Sequence, residues 1–513
     1  MSKPLVIRAD ANTRMGTGHV MRCIALGQAW QGAGGHVVFI ACCTSGLLKE
    51  RITEEGFLLV ELPLPYPESE DDLKTTLETA RQVDASWIVT DGYHFDLGYL
   101  QAVRKSGFKL LCVDDYNHLA KYEADILLNQ NIGAEELEYQ CNAECQKLLG
   151  SRHVMLRQEF RASKRPERIF PEIGKKILVT LGGSDPGNVS LKVLEALGRL
   201  DVASLEVKII AGPANPHLDS LQTAIEALEI RCELVASVQR MSELMCWADI
   251  AISAAGSTCW ELCLTGVPFL IIVVAENQRR VASCLTDQGI TVNLGGGDQV
   301  EPVGIAEKLN SLLFSRSECE RMSVAGGRLI DGFGVDRILW HPAKACGLDW
   351  FAGRLVVRRM VQQDLKPLFV WINDPQTREN SFIPARVEWA THVKWFDQRV
   401  DSSETLLLFA EVDGVLCGHV RYERQGEGQV LLSFLMGPEF RGLGLASPII
   451  SHSFDLVVEK FGEVDVLAYS LQANTRSHKA MLSAGLRVIR EDCCFMGIQC
   501  CEFKTTLVGK SRL

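Results

Sequence analysis

Four short stretches of this chain carry side chains suited to chemistry. Residues 8–23 place Asp10, Asn12, Gly16, Gly18, His19 and Arg22 between an apolar run and the helical pattern of 24–30. Histidine is the side chain best matched to proton transfer near neutral pH. Gly16 and Gly18 let backbone and substrate approach closely, and polar groups crowded at a strand end point to a cleft. A histidine that only caps or packs at a turn is the competing reading. The second stretch, Ala-Ala-Gly-Ser-Thr-Cys-Trp-Glu at 254–261, opens a helix whose free N–H groups can hold a diphosphate. Glu261, about one turn inside it, could accept both hydroxyls of a ribose; a helix capped by Ser257 or Thr258 is the alternative. The turn Leu-Gly-Gly-Ser-Asp-Pro at 181–186, with Gly182 and Gly183, strengthens the diphosphate reading. Third, Asn277 and Gln278 belong to a polar cluster at a strand end, 275–280, which either faces the same cleft or forms a solvated loop. Fourth, Arg441-Gly-Leu-Gly-Leu-Ala446 could wrap its backbone N–H groups around a pyrophosphate, with Asn474 and Ser477 further along. A plain glycine turn there is disfavoured by the strand before it and the long helix after it.

The elements that must position these groups follow from patterning. Apolar runs of strand length at 37–40, 87–90 and 109–113 alternate with helical patterns at 73–82 and 97–105, which implies βαβ units and a parallel sheet. A basic, Pro-containing stretch at 161–168 reads as a linker. A second alternating series follows, with strands at 176–180, 205–210, 250–253 and 267–274 and a helix near 190–200. Two such halves predict a two-lobed enzyme with its cleft at the C-terminal ends of the strands. After Trp350 the pattern changes: 354–360 starts a new unit, with strands at 406–411, 415–422 and 431–436 ahead of a long helix. The boundaries expected are 1–165, 171–345 and 352–508.

Composition excludes several classes. A net charge of −11 argues against a nucleic-acid partner. The longest apolar runs fall short of the roughly 20 residues a membrane span needs. The first residues lead straight into a strand without a signal-peptide pattern, so a cytoplasmic protein is expected. The 18 cysteines show no paired zinc-finger spacing and read as free thiols, mostly small buried hydrophobes, with no metal expected.

Taken together and in order, the motifs of residues 8–23, Thr-Asp-Gly-Tyr-His-Phe-Asp at 90–96, 181–186, 254–268 and 275–278 resemble a known family. It is the nucleotide-sugar hydrolase of pseudaminic acid biosynthesis, the UDP-2,4-diacetamido-2,4,6-trideoxy-β-L-altropyranose hydrolase. The resemblance covers residues 1 to about 345. It implies the glycosyltransferase-B fold of two Rossmann-like lobes and no metal. It makes His19 the general base, puts Asp91 and Tyr93 against the sugar, and assigns Asn277 and Gln278 to the substrate. Gly256, Ser257, Thr258 and Glu261 then bind UDP. Ala255 departs from the second glycine the family often has. The implied reaction is attack of water on the anomeric carbon, giving inverted free sugar and UDP.

Residues 354 to about 508 resemble the GNAT N-acetyltransferases, an α+β fold. The acetyl-CoA pyrophosphate loop matches Arg441, Gly442, Gly444 and Ala446, and the later element matches Asn474 and Ser477. The family often places a general-acid Tyr where this chain has Met481. In the pseudaminic acid pathway an acetyl-CoA-dependent N-acetyltransferase acts on the 4-amino sugar just before the hydrolase, so the fusion implies consecutive enzymes in one chain. The alternative is a glycosyltransferase of a related nucleotide sugar whose GNAT domain has another activity or none.

Overall fold

The computed structural model describes residues 3–12, 16–43, 45–68, 71–161, 168–183, 185–212, 215–236, 238 and 240–508. Six residues of the stretch read as a linker, 162–167, lie outside the described residues, as does Ser184 of the 181–186 turn. The chain divides into two compact units, Met1–Trp350 and Phe351–Leu513.

The first unit contains two sheets. Strands β1 Leu5–Ala9, β2 Val37–Ala41, β3 Leu58–Glu61, β4 Trp87–Asp91, β5 Lys109–Val113, β6 Ile126–Asn129 and β7 Gln146–Leu149 form one, in the order β3-β2-β1-β4-β5-β6-β7. The other holds β8 Lys176–Thr180, β9 Glu206–Ile210, β10 Arg231–Val235, β11 Ile250–Ala254, β12 Phe269–Val273 and β13 Thr291–Gly296, in the order β10-β9-β8-β11-β12-β13. Every pairing in both is parallel. The central strands, such as Val-Val-Phe-Ile-Ala and Phe-Leu-Ile-Ile-Val, are buried along their whole length, as helices on both faces require.

Both strand orders reverse direction once, at β1/β4 and at β8/β11. Ligands of open parallel sheets bind at such points, outside the carboxyl ends of the strands. The described loop residues that begin there are 10–12, 16–17 and 92–96 in the first lobe, and 181–183, 185–188 and 255–257 in the second. Helix Gly334–Ala345 follows the second sheet in sequence but packs on helix Gly18–Gly32 of the first. Its first residue, Gly334, lies against the 153–154 backbone, where a Cβ would sit 2.1 Å from the Val154 carbonyl oxygen. Arg161 and Trp350 both bond Asp336 of this helix, at 2.8 Å each.

The second unit is one seven-stranded sheet. It comprises β14 Leu355–Arg359, β15 Thr405–Val412, β16 Val415–Arg424, β17 Gln429–Met436, β18 Val464–Leu471, β19 Arg487–Phe495 and β20 Ile498–Leu507, ordered β14-β15-β16-β17-β18-β20-β19. Only β17 and β18 pair in parallel, joined by the crossover helix Ala446–Phe461. Their pairing stops at Leu432 and Ala468, although β17 continues to Met436 and β18 to Leu471. No helix among the described residues is long and apolar enough to cross a membrane. The cysteines are free thiols; half are buried and two, Cys246 and Cys494, are exposed.

Candidate functional site

At the first switch point, Gly16 N–H bonds the Asn12 carbonyl at 2.9 Å and closes the loop after β1, with Gly16 at a φ of +74°. Helix Gly18–Gly32 starts there. Its N-cap, Thr17, makes no side-chain cap bond, and Gly18 is exposed. His19, the second residue of the helix, lies with Nδ1 2.7 Å from Asp91 Oδ1 at the end of β4. Arg22, one turn on, brackets the same carboxylate through Nε and Nη2, both at 2.6 Å. Its Nη1 donates to Asp115 at 2.7 Å. The Tyr93 hydroxyl donates to Asp115 at 2.5 Å, and the Tyr93 ring meets His19 edge-on with centroids 4.8 Å apart.

The electrostatics assign roles. Burial alone would raise the Asp91 pKa. The charges and hydrogen bonds of Arg22 and His19 outweigh it and hold the carboxylate well below its ordinary range. An ionised Asp91 accepts the Nδ1–H of His19, which places the basic lone pair on Nε2; the tautomer is assigned from this network. Arg22 keeps Asp91 and Asp115 apart in charge while satisfying both.

Burial corrects three sequence expectations. Asp91 is 0% exposed and both its oxygens are taken, so it orients His19 and does not touch a sugar. Arg22 is spent on two carboxylates. Asp10 is also 0% exposed: Arg8 brackets it, the Cys42 N–H donates to it at 2.6 Å, and His94 Nε2 stands 3.0 Å away. It braces the loop from below. Tyr93, Asn12, Gly16 and Gly18 keep exposed surface. Asp115 escaped the sequence reading; its signal was an Asp-Asp pair directly after the strand at 109–113.

At the second switch point the two glycine turns differ. Helix Val189–Leu197 has its first N–H groups filled by Asp185, which accepts from Val189 at 3.0 Å and Ser190 at 2.8 Å. This helix end is therefore filled from within the chain. Gly182 and Gly183 remain exposed and can act only through their own backbone. Helix Thr258–Thr265 is different: its N-cap Ser257 makes no side-chain cap bond, and the Cys259 and Trp260 N–H groups turn back on the Gly256 and Ser257 carbonyls at 3.0 and 3.1 Å. The capping alternative for Ser257 thereby loses its support. Glu261 is largely buried and pairs with Arg157 at 3.0 Å, a residue that sequence reasoning missed. Burial raises its pKa and Arg157 works against the rise. Gln278 accepts from the Val274 N–H at 3.0 Å and lies over Gly256, while the Asn277 amide reaches the Tyr93 hydroxyl of the first lobe at 3.3 Å.

In the second unit, Gly442 and Gly444 take φ of +87° and +68°, and Leu443 and Leu445 between and after them are buried. The backbone of 441–446 thus turns outward at the start of helix Ala446–Phe461, and a Cβ on Gly442 would meet open space. This cradle fits a pyrophosphate held by N–H groups. The Arg441 side chain does not join it. Its guanidinium bonds Asp374 at 2.6 Å, Gln376 at 2.9 Å and Thr377 at 2.9 Å, bracing the loop instead. Asn474 likewise serves as a helix cap, accepting from the Ser477 N–H at 3.2 Å. Met481, in that helix, is buried and presents no polar group. Among the described residues, no three His, Cys, Asp or Glu side chains gather as a metal site.

Comparison with known proteins agrees with this partition. Residues 177–326 match the Glycosyltransferase family 28 C-terminal domain, and residues 354–487 match the Acetyltransferase (GNAT) domain. The chain thus joins a nucleotide-sugar domain of glycosyltransferase type to a GNAT acetyltransferase domain. It is 23% identical to the uncharacterized protein MJ1062 of Methanocaldococcus jannaschii over 496 residues, 94% of this chain and 96% of that one. It is 26% identical over 231 residues to the spore coat polysaccharide biosynthesis protein SpsG of Bacillus subtilis, covering 45% of this chain and 68% of the relative. It is 24% identical over 280 residues to the pseudaminic acid cytidylyltransferase and UDP-2,4-diacetamido-2,4,6-trideoxy-beta-L-altropyranose hydrolase of Helicobacter pylori, covering 54% of this chain and 45% of that protein.

Proposed function

We propose that residues 1–350 hydrolyse a UDP-linked diacetamido-trideoxyhexose, UDP-2,4-diacetamido-2,4,6-trideoxy-β-L-altropyranose, to free sugar and UDP in the cytoplasm. The observation that carries this reading is the Asp91–His19 pair at the first switch point, with Tyr93 linked to Asn277 of the lobe that presents helix Thr258–Thr265, whose N-terminus has no side-chain cap from Ser257. The name of the Helicobacter pylori relative supports the choice of substrate.

The chemistry runs as follows. The diphosphate lies against the N–H groups after Gly256, and Gly182 and Gly183 close on it through their backbone. Helix N–H groups stabilise the charge that grows on the departing UDP. His19 Nε2 takes a proton from water as its oxygen attacks the anomeric carbon from the face opposite UDP. Asp91 stabilises the imidazolium that results. Tyr93, Asn277 and Gln278 line the sugar, and Glu261 holds the ribose with the oxygen that Arg157 leaves free. Residues 352–508 transfer acetyl from acetyl-CoA to the 4-amino precursor of the same sugar, the cofactor's pyrophosphate lying in the 441–446 cradle.

Hydrolysis in water enriched in oxygen-18 tests the first activity. The label belongs in the sugar, because the anomeric C–O bond breaks. Label in UDP, or no reaction until a sugar acceptor is added, overturns it; the second outcome is the glycosyltransferase reading that the family 28 match keeps in view.

Glu261→Gln is expected to weaken UDP and substrate by about the same 10- to 100-fold and to leave turnover within a few fold. A ribose contact is made equally in ground and transition states, and a hydrogen bond to a charged group is worth roughly 1.5–3 kcal/mol. Calorimetric titration with UDP reads this directly. An unchanged dissociation constant reduces Glu261 to the partner of Arg157.

A further inference from the structure

We propose that the sheet face beside the parted ends of β17 and β18 holds the acetyl acceptor, with Glu502 anchoring its cationic amine against a wall of Phe382, Tyr469 and Phe495. This rests on reading the second unit as an acetyltransferase.

The face is fixed by register. Leu432 and Ala468 are the last paired residues of β17 and β18, so Ser433 and Tyr469, the next on each strand, share the opposite face at the mouth of the gap. Ala468 pairs with Phe503, whose ring meets His478 of helix Thr475–Ser483. Tyr469 and its cross-strand partner Glu502 therefore face away from that helix. They face the side where Arg421 bonds Ser433 at 3.2 Å and lies over the Trp395 ring of helix Trp389–Asp397.

The chemistry of this face selects a cation. Tyr469 stacks on Phe495 with centroids 4.3 Å apart and planes 9° from parallel, and Phe382 meets Phe495 edge-on at 5.2 Å. All three rings are half-buried, leaving surface for a ligand. The Tyr469 hydroxyl donates to Glu502 Oε1 at 3.1 Å. Burial and the neighbouring Glu502 raise the Tyr469 pKa, so it stays a neutral donor. Among the described residues only Arg490, 69% exposed and 3.6 Å away, addresses Oε2, so that oxygen is weakly held. A carboxylate oxygen beside aromatic faces binds an ammonium by charge-assisted hydrogen bonding and cation–π attraction.

The step balances. Glu502 takes one proton from the ammonium and later loses it to solvent. The amine nitrogen bonds the thioester carbonyl carbon, the C–S bond breaks, and the second N–H proton goes to the departing thiolate. Amide, thiol and one proton result.

The full-length chain, with coenzyme A bound, is titrated calorimetrically with the methyl glycoside of a 4-amino-4,6-dideoxyhexose and with its 4-hydroxy counterpart. Wild type is expected to favour the amine by at least about tenfold, and Glu502→Gln to lose about 10- to 100-fold in amine affinity and the discrimination with it. KM for the 4-amino UDP-sugar in acetyl transfer should rise in parallel. Coenzyme A affinity and UDP release by the first unit stay unchanged, which reports a folded variant. Tyr469→Phe loses a smaller factor in the same direction. Equal wild-type affinity for amine and hydroxyl, or no acetyl transfer to any amine, overturns the site. Intact amino-sugar acetylation in Glu502→Gln overturns the site and leaves the amino-sugar reading standing. A Glu502-dependent acetylation of polyamines but not amino sugars does the reverse.

Discussion

His19→Asn binds UDP within a few fold of wild type and releases it from the diacetamido sugar about 10² to 10⁴ times more slowly, the usual contribution of a general base. Asparagine can still offer an amide N–H toward Asp91 where Nδ1 now lies 2.7 Å away, so the carboxylate keeps a partner and the helix start keeps its packing. What disappears is the basic lone pair at the Nε2 position. The loss should therefore fall on kcat, with KM nearly constant, because water activation occurs only on the way to the transition state. In the proposed reading the diphosphate lies against the other lobe and does not sense the change. Rapid-quench turnover with calorimetric UDP titration separates the two quantities. Turnover above about a third of wild type would remove His19 from the chemistry, whatever its geometry, since a base worth only that factor is no base.

Why His19 could be picked out from sequence while its partners were misread is a matter of range. The strands that frame it are continuous apolar runs, and the loops that follow β1, β4, β8 and β11 are where the polar and glycine residues cluster. Those features are local. That these loops are neighbours follows only from the strand order, in which β1 pairs β4 and β8 pairs β11 across long sequence gaps. Asp10 and Asp91 were read as substrate ligands because polar residues at strand ends often point outward. Here Arg8 and Arg22 meet them from within the protein: Arg22 stands 69 residues from Asp91, and Arg8, although two residues from Asp10, is drawn into the core by Asp72, 64 residues away, so neither contact marks a local pattern. Arg157, 104 residues from Glu261, is hidden for the same reason; Asp115 stands in a local Asp-Asp pair, but its bond to Arg22, 93 residues away, leaves no local trace.

The glycine turns teach the complementary lesson. Leu-Gly-Gly-Ser-Asp-Pro and Ala-Gly-Ser-Thr look equally suited to phosphate in sequence. The difference lies in one carboxylate: Asp185 folds back on the helix N-terminus and fills it, whereas Ser257 does not. In the second unit, the exposed edge strand β19 and the point where β17 and β18 part have no period to betray them. Arg441 and Asn474 match a cofactor motif, yet their side chains brace and cap, so the matched pattern describes a loop shape rather than a set of ligands.

Arg8→Met should cost the first unit about 3–5 kcal/mol, the usual penalty for breaking a buried ion pair by removing one partner. Arg8 sits in the central strand β1 with no exposed surface, between Asp10 and Asp72, which are equally buried. Its Nε and Nη2 reach Asp72 at 3.1 and 2.5 Å, and Tyr99 donates to the same carboxylate at 3.0 Å. Methionine fills much of the volume but leaves two buried carboxylates facing each other without a cation. The pH dependence follows from Asp10. Burial pushes its pKa up, but His94, Arg8 and the Cys42 N–H bring it down to about 2. A carboxylate depressed in the folded state stabilises fully above its unfolded value and loses that contribution progressively as pH falls from there through about 2. In the variant Asp10 loses its main cation and its pKa rises, so the deficit is full near neutral pH and shrinks as the medium is acidified toward about pH 4, where protonation relieves the buried charge. Urea midpoints across that range measure the deficit. Because Asp10 braces the loop that carries Asn12 and leads to His19, the surviving folded protein should also release UDP more slowly. A pH-independent loss below about 1 kcal/mol would show that the cluster is hydrated and that the loop is held by its backbone alone.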